Sequence, residues 1–299
     1  MKLLITGGHG FLGRHLVEHL QAEGCELVLT SRKSREDRRP GVQVCQVDLT
    51  EAKTLQHLPR GVDAIIHTAA CIPSKQHDSG ELKRFWETNA LGTLHLVEWA
   101  GERGIKTFIY CSSMSVYAPD SRLPVMEETT TYPMGNAWAY GLSKLGGEII
   151  CANFQRSMQR RVFSLRFSTL YGNGMLENGV LAVFLKCALA GEPLEVHGLN
   201  VSGDFLYVKD AAAAIVLALE SACDGGIFNI GSGIETNIRE LAEIVRDVVP
   251  RAGKSEIKVT ESLVGRRFCM DISKARRDLG FEPQYTLRSG LTDWLQHGA

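Results

Sequence analysis

The sequence predicts an α/β protein with a doubly wound parallel sheet and a smaller mixed α/β lobe in its C-terminal half. Two observations support this fold class. Short, continuously apolar runs alternate with helix-like segments through the first half, which is typical of parallel strands buried on both faces. A glycine-rich loop also joins the first strand to the first helix, at the carboxyl edge where doubly wound sheets bind their ligands.

The predicted elements follow one another in a regular order. Strands are predicted at residues 3–6, 26–30, 42–47, 64–67, 108–111, 162–167 and 227–230. Helices are predicted at residues 11–22, 82–103, 181–189, 211–220 and 238–248. This alternation supplies the crossovers that parallel strands need. The second half lacks a long linker or repeat, so we expect it to fold onto the sheet rather than as a tethered domain.

Composition excludes several classes of protein. The 299 residues are 44% hydrophobic and 22% charged, a globular mix that can bury a sizeable core. Lys and Arg number 33 against 34 Asp and Glu, and this net charge of -1 argues against non-specific nucleic-acid binding. No run approaches the roughly 18 apolar residues of a membrane-spanning helix. Eight dispersed cysteines without a CxxC pair predict reduced thiols and a cytoplasmic location.

The loop TGGHGFLG at residues 6–13 predicts a phosphate-binding turn. Gly7 permits a tight turn, Gly10 lets the backbone approach a pyrophosphate, and Gly13 lets the helix pack close to the strand. The helix then begins at Phe11 and Leu12, where free N–H groups and a positive dipole favour phosphate. A strand, this loop and a helix in succession predict a Rossmann-type dinucleotide site.

The end of the second strand indicates which dinucleotide is bound. NAD-binding folds usually place an acidic residue there to hold the adenosine ribose, but this chain has Ser31 and Arg32. No carboxylate repels a 2′-phosphate at this position, and Arg32 can bind one. A solvated basic loop is the alternative, because Glu36 and Asp37 follow. The sequence favours NADP, with NAD as the alternative cofactor.

The glycine spacing TGxxGxxG resembles that of the extended short-chain dehydrogenase/reductase family, the NAD-dependent epimerase/dehydratase group. Four further segments resemble the family in the same order along the chain, at residues 48–49, 67–70, 89–93 and 165–172. The resemblance implies that these segments contact the cofactor through Asp48, Leu49, Thr68, Ala69, Ala70, Asn89, Phe167 and Thr169.

The segment YGLSK predicts the acid–base chemistry. Tyr140 and Lys144 lie four residues apart, which places them on one face of a helix. An ammonium beside a phenol favours the phenolate, so Tyr140 could exchange a proton with a substrate oxygen while Lys144 also binds the nicotinamide ribose. The stretch CSSMSVY resembles the family's serine segment and implies that Ser113 is the third catalytic residue. Ser112 and Ser115 are the neighbouring alternatives.

The resemblance implies an NADP(H)-dependent oxidoreductase acting on a sugar or nucleotide-sugar carbonyl or alcohol, of the 4-keto-sugar reductase type. An NAD(P)-dependent nucleotide-sugar epimerase with transient oxidation is the alternative. A non-catalytic NADP-sensing regulator is disfavoured, because Tyr140 and Lys144 are both present. Gly203 replaces an arginine that neutralises the diphosphate in nucleotide-sugar enzymes, which weakens that substrate assignment. Arg266 resembles a second substrate-side arginine of the family.

Domain boundaries follow from the order of these motifs. The predicted dinucleotide-binding domain covers residues 1–169, with a returning segment near 204–231. The substrate-binding lobe is predicted at residues 170–203 and 232–299.

Two expectations concern partners and metals. The family resemblance implies a homodimer paired through the helices that contain residues 89–103 and 140–154. The sequence HLVEH fits a zinc motif at His15, Glu18 and His19. We expect no metal there, because this helix packs its apolar face on the sheet and turns its polar face outward.

Overall fold

The computed structural model describes residues 1–73, 81–134, 138–175, 179–198, 200–249, 255–260 and 265–297. Within these ranges the strands are β1 (Lys2–Thr6), β2 (Glu26–Ser31), β3 (Val42–Gln46), β4 (Ala64–His67), β5 (Thr107–Ser113), β6 (Arg161–Phe167), β7 (Thr169–Tyr171), β8 (Leu194–His197), β9 (Ser202–Gly203), β10 (Phe205–Tyr207), β11 (Gly225–Ile230), β12 (Thr236–Asn237) and β13 (Ile257–Thr260). The helices are α1 (Phe11–Ala22), α2 (Glu81–Phe85), α3 (Gly92–Glu102), α4 (Trp138–Met158), α5 (Val180–Ala190), α6 (Val208–Glu220), α7 (Ile238–Val248), α8 (Ser273–Leu279) and α9 (Leu287–His297).

Seven parallel strands form the central sheet in the order β11-β6-β5-β4-β1-β2-β3. The strand order reverses between β1 and β4, which is the point where doubly wound sheets bind ligands. Apolar residues of α1 and α6 cover one face of the sheet, and those of α3 and α4 cover the other. The predicted fold class is confirmed, and β11 brings the chain back into the sheet after the excursion that begins at β7.

A separate apolar core lies in the C-terminal half. It joins α5, α7 and α9 to the strand pairs β7–β10 and β8–β13. The glycine-loop residues Phe11 and Leu12 pack against this core, so the first helix contacts both parts of the molecule. These strand pairs and the helices α8 and α9 are absent from the sequence prediction. β7 and β10, of three residues each, carry too few side chains to show a period.

The predicted helix at residues 82–103 forms three successive pieces. It runs through α2, a π-helical turn at Trp86–Leu91, and α3. π-Helical turns inside helices frequently occur at functional sites. Across the described ranges, no helix is both long and apolar enough to cross a membrane, and all eight cysteines are free thiols.

Candidate active site

A cavity of about 660 Å³ follows the carboxyl ends of β1 to β6. The predicted site residues that line it are Gly7, Gly10, Phe11, Leu12, Ser31, Arg32, Asp48, Leu49, Thr68, Ala69, Ala70, Ser113, Tyr140, Lys144 and Phe167. The other predicted residues, Gly13, Asn89, Thr169 and Arg266, lie outside this lining. The fold therefore joins most of the predicted cofactor residues and all three predicted catalytic residues in one cavity.

The glycine loop is packed too tightly for larger side chains. Gly7 has φ +71°, and a Cβ atom there would lie 2.7 Å from the backbone nitrogen of Ala69. A Cβ atom on Gly13 would overlap the carbonyl oxygen of Gly7. Gly13 thus permits close packing of helix and strand rather than lining the cavity, and Gly10 closes the turn by donating to the Gly7 carbonyl at 2.8 Å. This cradle fits a dinucleotide pyrophosphate.

A buried histidine fixes the loop after β4. Burial lowers the pKa of His67 to about 3, so its ring is neutral. The Thr93 hydroxyl donates to the Asn89 carbonyl at 2.6 Å and therefore accepts from His67 Nε2 at 3.0 Å. His67 Nδ1 then accepts from the Thr6 hydroxyl at 2.6 Å, and Thr6 in turn accepts from the Ala69 amide. These contacts hold the ends of β1 and β4 together.

Asn89 braces the cavity from behind. Its side chain bonds both backbone groups of Cys71, at 2.7 and 2.9 Å, and also donates to the Ser143 hydroxyl at 2.9 Å. Ser143 donates to the carbonyl of Tyr140 at 2.7 Å. The π-helical turn carries Asn89, which thereby joins the loop after β4 to α4, the helix of Tyr140.

The predicted catalytic residues meet at one end of the cavity. Ser113 hydrogen-bonds to the Tyr140 phenol, and its oxygen also accepts from the Ser115 amide at 3.1 Å. Lys144 Nζ lies 4.3 Å from the centre of the Tyr110 ring. Burial lowers the pKa of Lys144 to about 8, so the ammonium predominates at neutral pH.

The protonation of Tyr140 differs from the sequence expectation. We expected Lys144 to favour the phenolate, but burial raises the pKa of Tyr140 to about 12, and the opposing influence is the hydrogen bond from Ser113. The desolvation of the phenolate therefore outweighs its stabilisation by nearby polar groups. Tyr140 carries its proton at neutral pH and can donate it to a substrate oxygen.

Glycines let α4, the helix of Tyr140 and Lys144, approach the sheet. A Cβ atom on Gly141 would overlap the carbonyl oxygen of Ser115, and one on Gly147 would overlap the Tyr110 hydroxyl. That hydroxyl donates to the Lys144 carbonyl at 3.2 Å. The close packing of α4 on the sheet therefore requires glycine at these two positions, although glycine has a low helix propensity.

Sequence reasoning missed a buried ion pair between Arg166 and Glu148, which contacts Ser112 at the end of β5. Arg166 Nε and Nη2 donate to both carboxylate oxygens of Glu148, at 2.9 and 2.7 Å, and both side chains are almost fully buried. Ser112 donates to the same carboxylate. Arg166 Nη1 also donates to the Tyr117 hydroxyl at 2.9 Å, and Tyr117 donates to Asn229 at 2.6 Å. Nothing in the local sequence pairs residues 148 and 166.

Two arginines also line the cavity. Arg32 was predicted, and Arg84 of α2 was missed because its helix position carries no motif. Burial raises the pKa of the Cys71 thiol, and the positive charges of Arg84 and Arg32 oppose this rise. Arg84 also forms a hydrogen bond with the thiol. The nearby Asp37 is engaged by Arg39 through two hydrogen bonds, and Arg39 holds the pKa of Asp37 at about 2. Asp37 therefore neutralises Arg39 rather than Arg32.

Arg266 of the C-terminal lobe is partly buried, and two of its guanidinium nitrogens lack a hydrogen-bond partner in the described chain. Its Nε and Nη2 atoms are shielded from solvent and have no hydrogen-bond partner among the residues described. Burial lowers the pKa of Arg266, and its guanidinium lies 5.3 Å from the centre of the Phe268 ring. The adjacent Arg267 differs, because it forms an exposed two-point pair with Glu235. Guanidinium donors that are shielded from water and lack an acceptor are costly, so a bound anion would stabilise this arrangement.

The histidine motif of α1 has structural roles. His15 Nε2 bonds the carbonyl of Asn173 at 2.9 Å, and His19 pairs with Glu23 at 3.2 Å. In the part of the chain that the structure describes, no group of three His, Cys, Asp or Glu side chains could hold a metal ion.

A comparison with known protein families identifies the family of this chain. Residues 3–231 match the NAD dependent epimerase/dehydratase family. The chain belongs to that family. It is therefore an NAD(P)-dependent enzyme, and its relatives are nucleotide-sugar epimerases, decarboxylases and a reductase.

Members of the family resemble the chain over nearly its whole length. GDP-6-deoxy-D-mannose reductase of Pseudomonas aeruginosa is 30% identical over 98% of this chain and 97% of its own. The structure of UDP-N-acetylglucosamine 4-epimerase from Bacillus cereus has 29% identity and a TM-score of 0.85, covering 99% of this chain and 96% of that one. UDP-glucuronic acid 4-epimerase from Bacillus cereus, in complex with UDP-glucuronic acid and NAD, has 26% identity and a TM-score of 0.82, covering 99% of both chains.

Proposed function

We propose that this protein is an NADP(H)-dependent reductase of a nucleotide-linked keto sugar. The observation that carries the proposal is one cavity with Arg32 at one end and Ser113, Tyr140 and Lys144 at the other. A carbonyl oxygen held by Ser113 would accept the proton that Tyr140 carries at neutral pH. A bound nicotinamide would supply the hydride. Lys144 would hold the nicotinamide ribose and remain cationic below its pKa of about 8.

The preference for NADP is supported by charges at the adenosine end. Ser31 ends β2 and Arg32 follows it, and both residues line the cavity, as does Arg84. Guanidinium groups recognise phosphate through paired hydrogen bonds. A 2′-phosphate at the end of β2 would therefore meet the Arg32 guanidinium, and Ser31 places no carboxylate there to repel it.

The nucleotide-sugar substrate is supported by Arg266. Two nitrogens of its guanidinium lack an acceptor among the described residues, and a diphosphate would supply acceptor oxygens. The relatives of this chain include enzymes named for GDP-linked and UDP-linked sugars. Gly203 supplies no side chain to that group, so Arg266 would bear more of the recognition than in a site with two arginines.

Epimerisation is the second candidate. The Bacillus cereus relative in complex with NAD and UDP-glucuronic acid is a 4-epimerase. An epimerase returns the hydride to its substrate, so it consumes no reduced cofactor.

The test combines cofactor binding with turnover. We expect purified protein to bind NADPH more tightly than NADH, and the double variant Ser31→Asp/Arg32→Ala to lose about 10- to 100-fold in NADPH affinity. Lys33→Ala is the control, since Lys33 is an exposed neighbouring cation. Stoichiometric loss of NADPH with a nucleotide-linked 4-keto sugar supports the reductase. Isomer exchange without net consumption supports the epimerase, tighter NADH binding contradicts the NADP assignment, and no reaction with any sugar favours a sensor.

We also propose the homodimer and the division into two lobes. Trp86, Leu91 and Ile149 are 40%, 41% and 57% exposed on the helices predicted to pair. Gly146 of α4 lies against the Trp86 ring and leaves this surface flat. Sedimentation should show a dimer at micromolar concentration, and Ile149→Glu should shift it to monomer. A wild-type protein that sediments only as monomer would contradict the dimer.

A further inference from the structure

The buried carboxylate of Glu148 lies where the catalytic elements meet. It is four residues after Lys144 on α4, so the two side chains share a helix face at about 5–6 Å between Cβ atoms. It accepts a hydrogen bond from Ser112, the neighbour of Ser113 at the end of β5. It also accepts two from Arg166 of β6, whose next residue, Phe167, lines the cavity. One carboxylate therefore joins the helix and the two strands that supply the reacting end.

Lys144 is surrounded by groups that are mostly uncharged at neutral pH. Tyr110 and Cys111 of β5 have pKa values raised by burial, as has Cys151 of α4. His67 of β4 is neutral, and Tyr140 of α4 carries its proton. Glu148 differs because its carboxylate accepts two charge-assisted hydrogen bonds from the Arg166 guanidinium. Among these described neighbours, it is the anion that faces the Lys144 ammonium.

We propose that Glu148 is a positioning residue for proton transfer, which holds the strand end of Ser113 against the helix of Tyr140 and Lys144 and presents a negative charge to Lys144. The proposal rests on the proposed function only for the identity of the reaction. Glu148 does not line the cavity, and it acts on the site through Ser112 and Lys144.

The charge of Lys144 provides a direct measurement. Lysine labelled with ¹³C at Cε gives an NMR signal that reports its titration in the unliganded protein, and Lys144→Arg assigns that signal by its loss. We expect Glu148→Gln to lower the titration midpoint of Lys144 by about one pH unit, because an opposite charge is removed. Glu148→Asp, which keeps the charge, should leave the midpoint close to that of the wild type.

Turnover and binding provide the second measurement. With Glu148→Gln we expect the alkaline limb of the pH–rate profile to move in step with the NMR midpoint, and dinucleotide affinity at pH 8 to fall. Glu243→Gln removes the acid of an exposed pair with Arg239 on α7 and is the matched control. It should move neither quantity.

A purely structural role for Glu148 would give a different result. If Glu148→Gln is too unstable to purify, the double variant Glu148→Met/Arg166→Met removes both buried charges and should recover stability. Its Lys144 midpoint should still lie below that of the wild type. An unchanged midpoint in Glu148→Gln or in the double variant overturns the proposal. Absence of turnover in the wild type counts against the proposed reaction alone, because the NMR titration needs no substrate.

Discussion

The carboxyl edge of the sheet and the C-terminal lobe around Arg266 differ in how their polar groups are paired. At the sheet edge, His67, Asn89 and Glu148 each bond to two or more partners from neighbouring elements. In the C-terminal lobe, two nitrogens of Arg266 have no hydrogen-bond partner within the described chain, and Gly203 has no side chain at all. The protein itself therefore pairs the polar groups of the sheet edge, whereas these two donors of Arg266 are left without an acceptor.

This difference follows from the way each half is built. The sheet edge gathers loops after adjacent parallel strands, so each loop is fixed by the strands on either side. The lobe is assembled from short strand pairs and from residues distant in sequence, such as β9 and the segment near Arg266. The position of Arg266 therefore rests on fewer backbone constraints than the positions of the sheet-edge residues do.

Removal of the Tyr140 hydroxyl, the proposed proton donor at the sheet edge, should have the largest effect on turnover. Tyr140→Phe should reduce turnover by about 10²- to 10⁴-fold, the usual contribution of a positioned acid, while dinucleotide affinity changes little. Tyr132→Phe is the control, because Tyr132 is 61% exposed. Near-normal turnover of Tyr140→Phe on the true substrate would show that another group transfers the proton.

Steric change in the glycine loop should rank second. Gly13→Ala would force a Cβ atom into the Gly7 carbonyl and should weaken dinucleotide binding by about 10- to 100-fold, as overpacking commonly costs 1–3 kcal/mol. Gly24→Ala is the control, because Gly24 has φ +73° but open space around it. It should lower the melting temperature and leave titration calorimetry with the dinucleotide unchanged. Equal loss of affinity in both variants would contradict the steric explanation.

Loss of the Arg266 guanidinium should weaken the binding of the proposed substrate. Arg266→Ala should raise the KM for a nucleotide-linked sugar by about tenfold, the effect of one charged hydrogen-bonding group, while the melting temperature stays the same or rises. Arg267→Ala, next in sequence but paired with Glu235 at the surface, should leave KM within about twofold. A large loss of stability without a change in KM would assign Arg266 to the fold instead.

A change of pH should give the smallest effect. Burial lowers the pKa of Lys144 to about 8, so the ammonium is present below pH 8 and is lost as the pH rises through that value. Dinucleotide affinity should therefore fall severalfold between pH 7 and pH 9. The same titration on Lys144→Met should be flat over this range. A wild-type affinity that is independent of pH would separate Lys144 from cofactor binding.

Some of the site could be predicted from the sequence because its cause is local. The glycine loop needs small residues at Gly7 and Gly13 in a strand–turn–helix, and the spacing of Tyr140 and Lys144 places both on one helix face. The apolar runs likewise determined the parallel sheet, since strands buried on both faces need them. The family resemblance added Ser113, which the structure brings to the Tyr140 phenol.

Other features depend on contacts between residues far apart in sequence, and only the tertiary structure decided them. Asn89 braces the loop after β4 because a π-helical turn aims its amide there. Arg84 reaches the cavity through the position of α2, and Arg166 meets Glu148 across a helix and a strand. Burial, which no single residue type determines, sets the protonation of Tyr140 and Lys144. The sequence by itself determined which groups could react, and packing decided their charge and their partners.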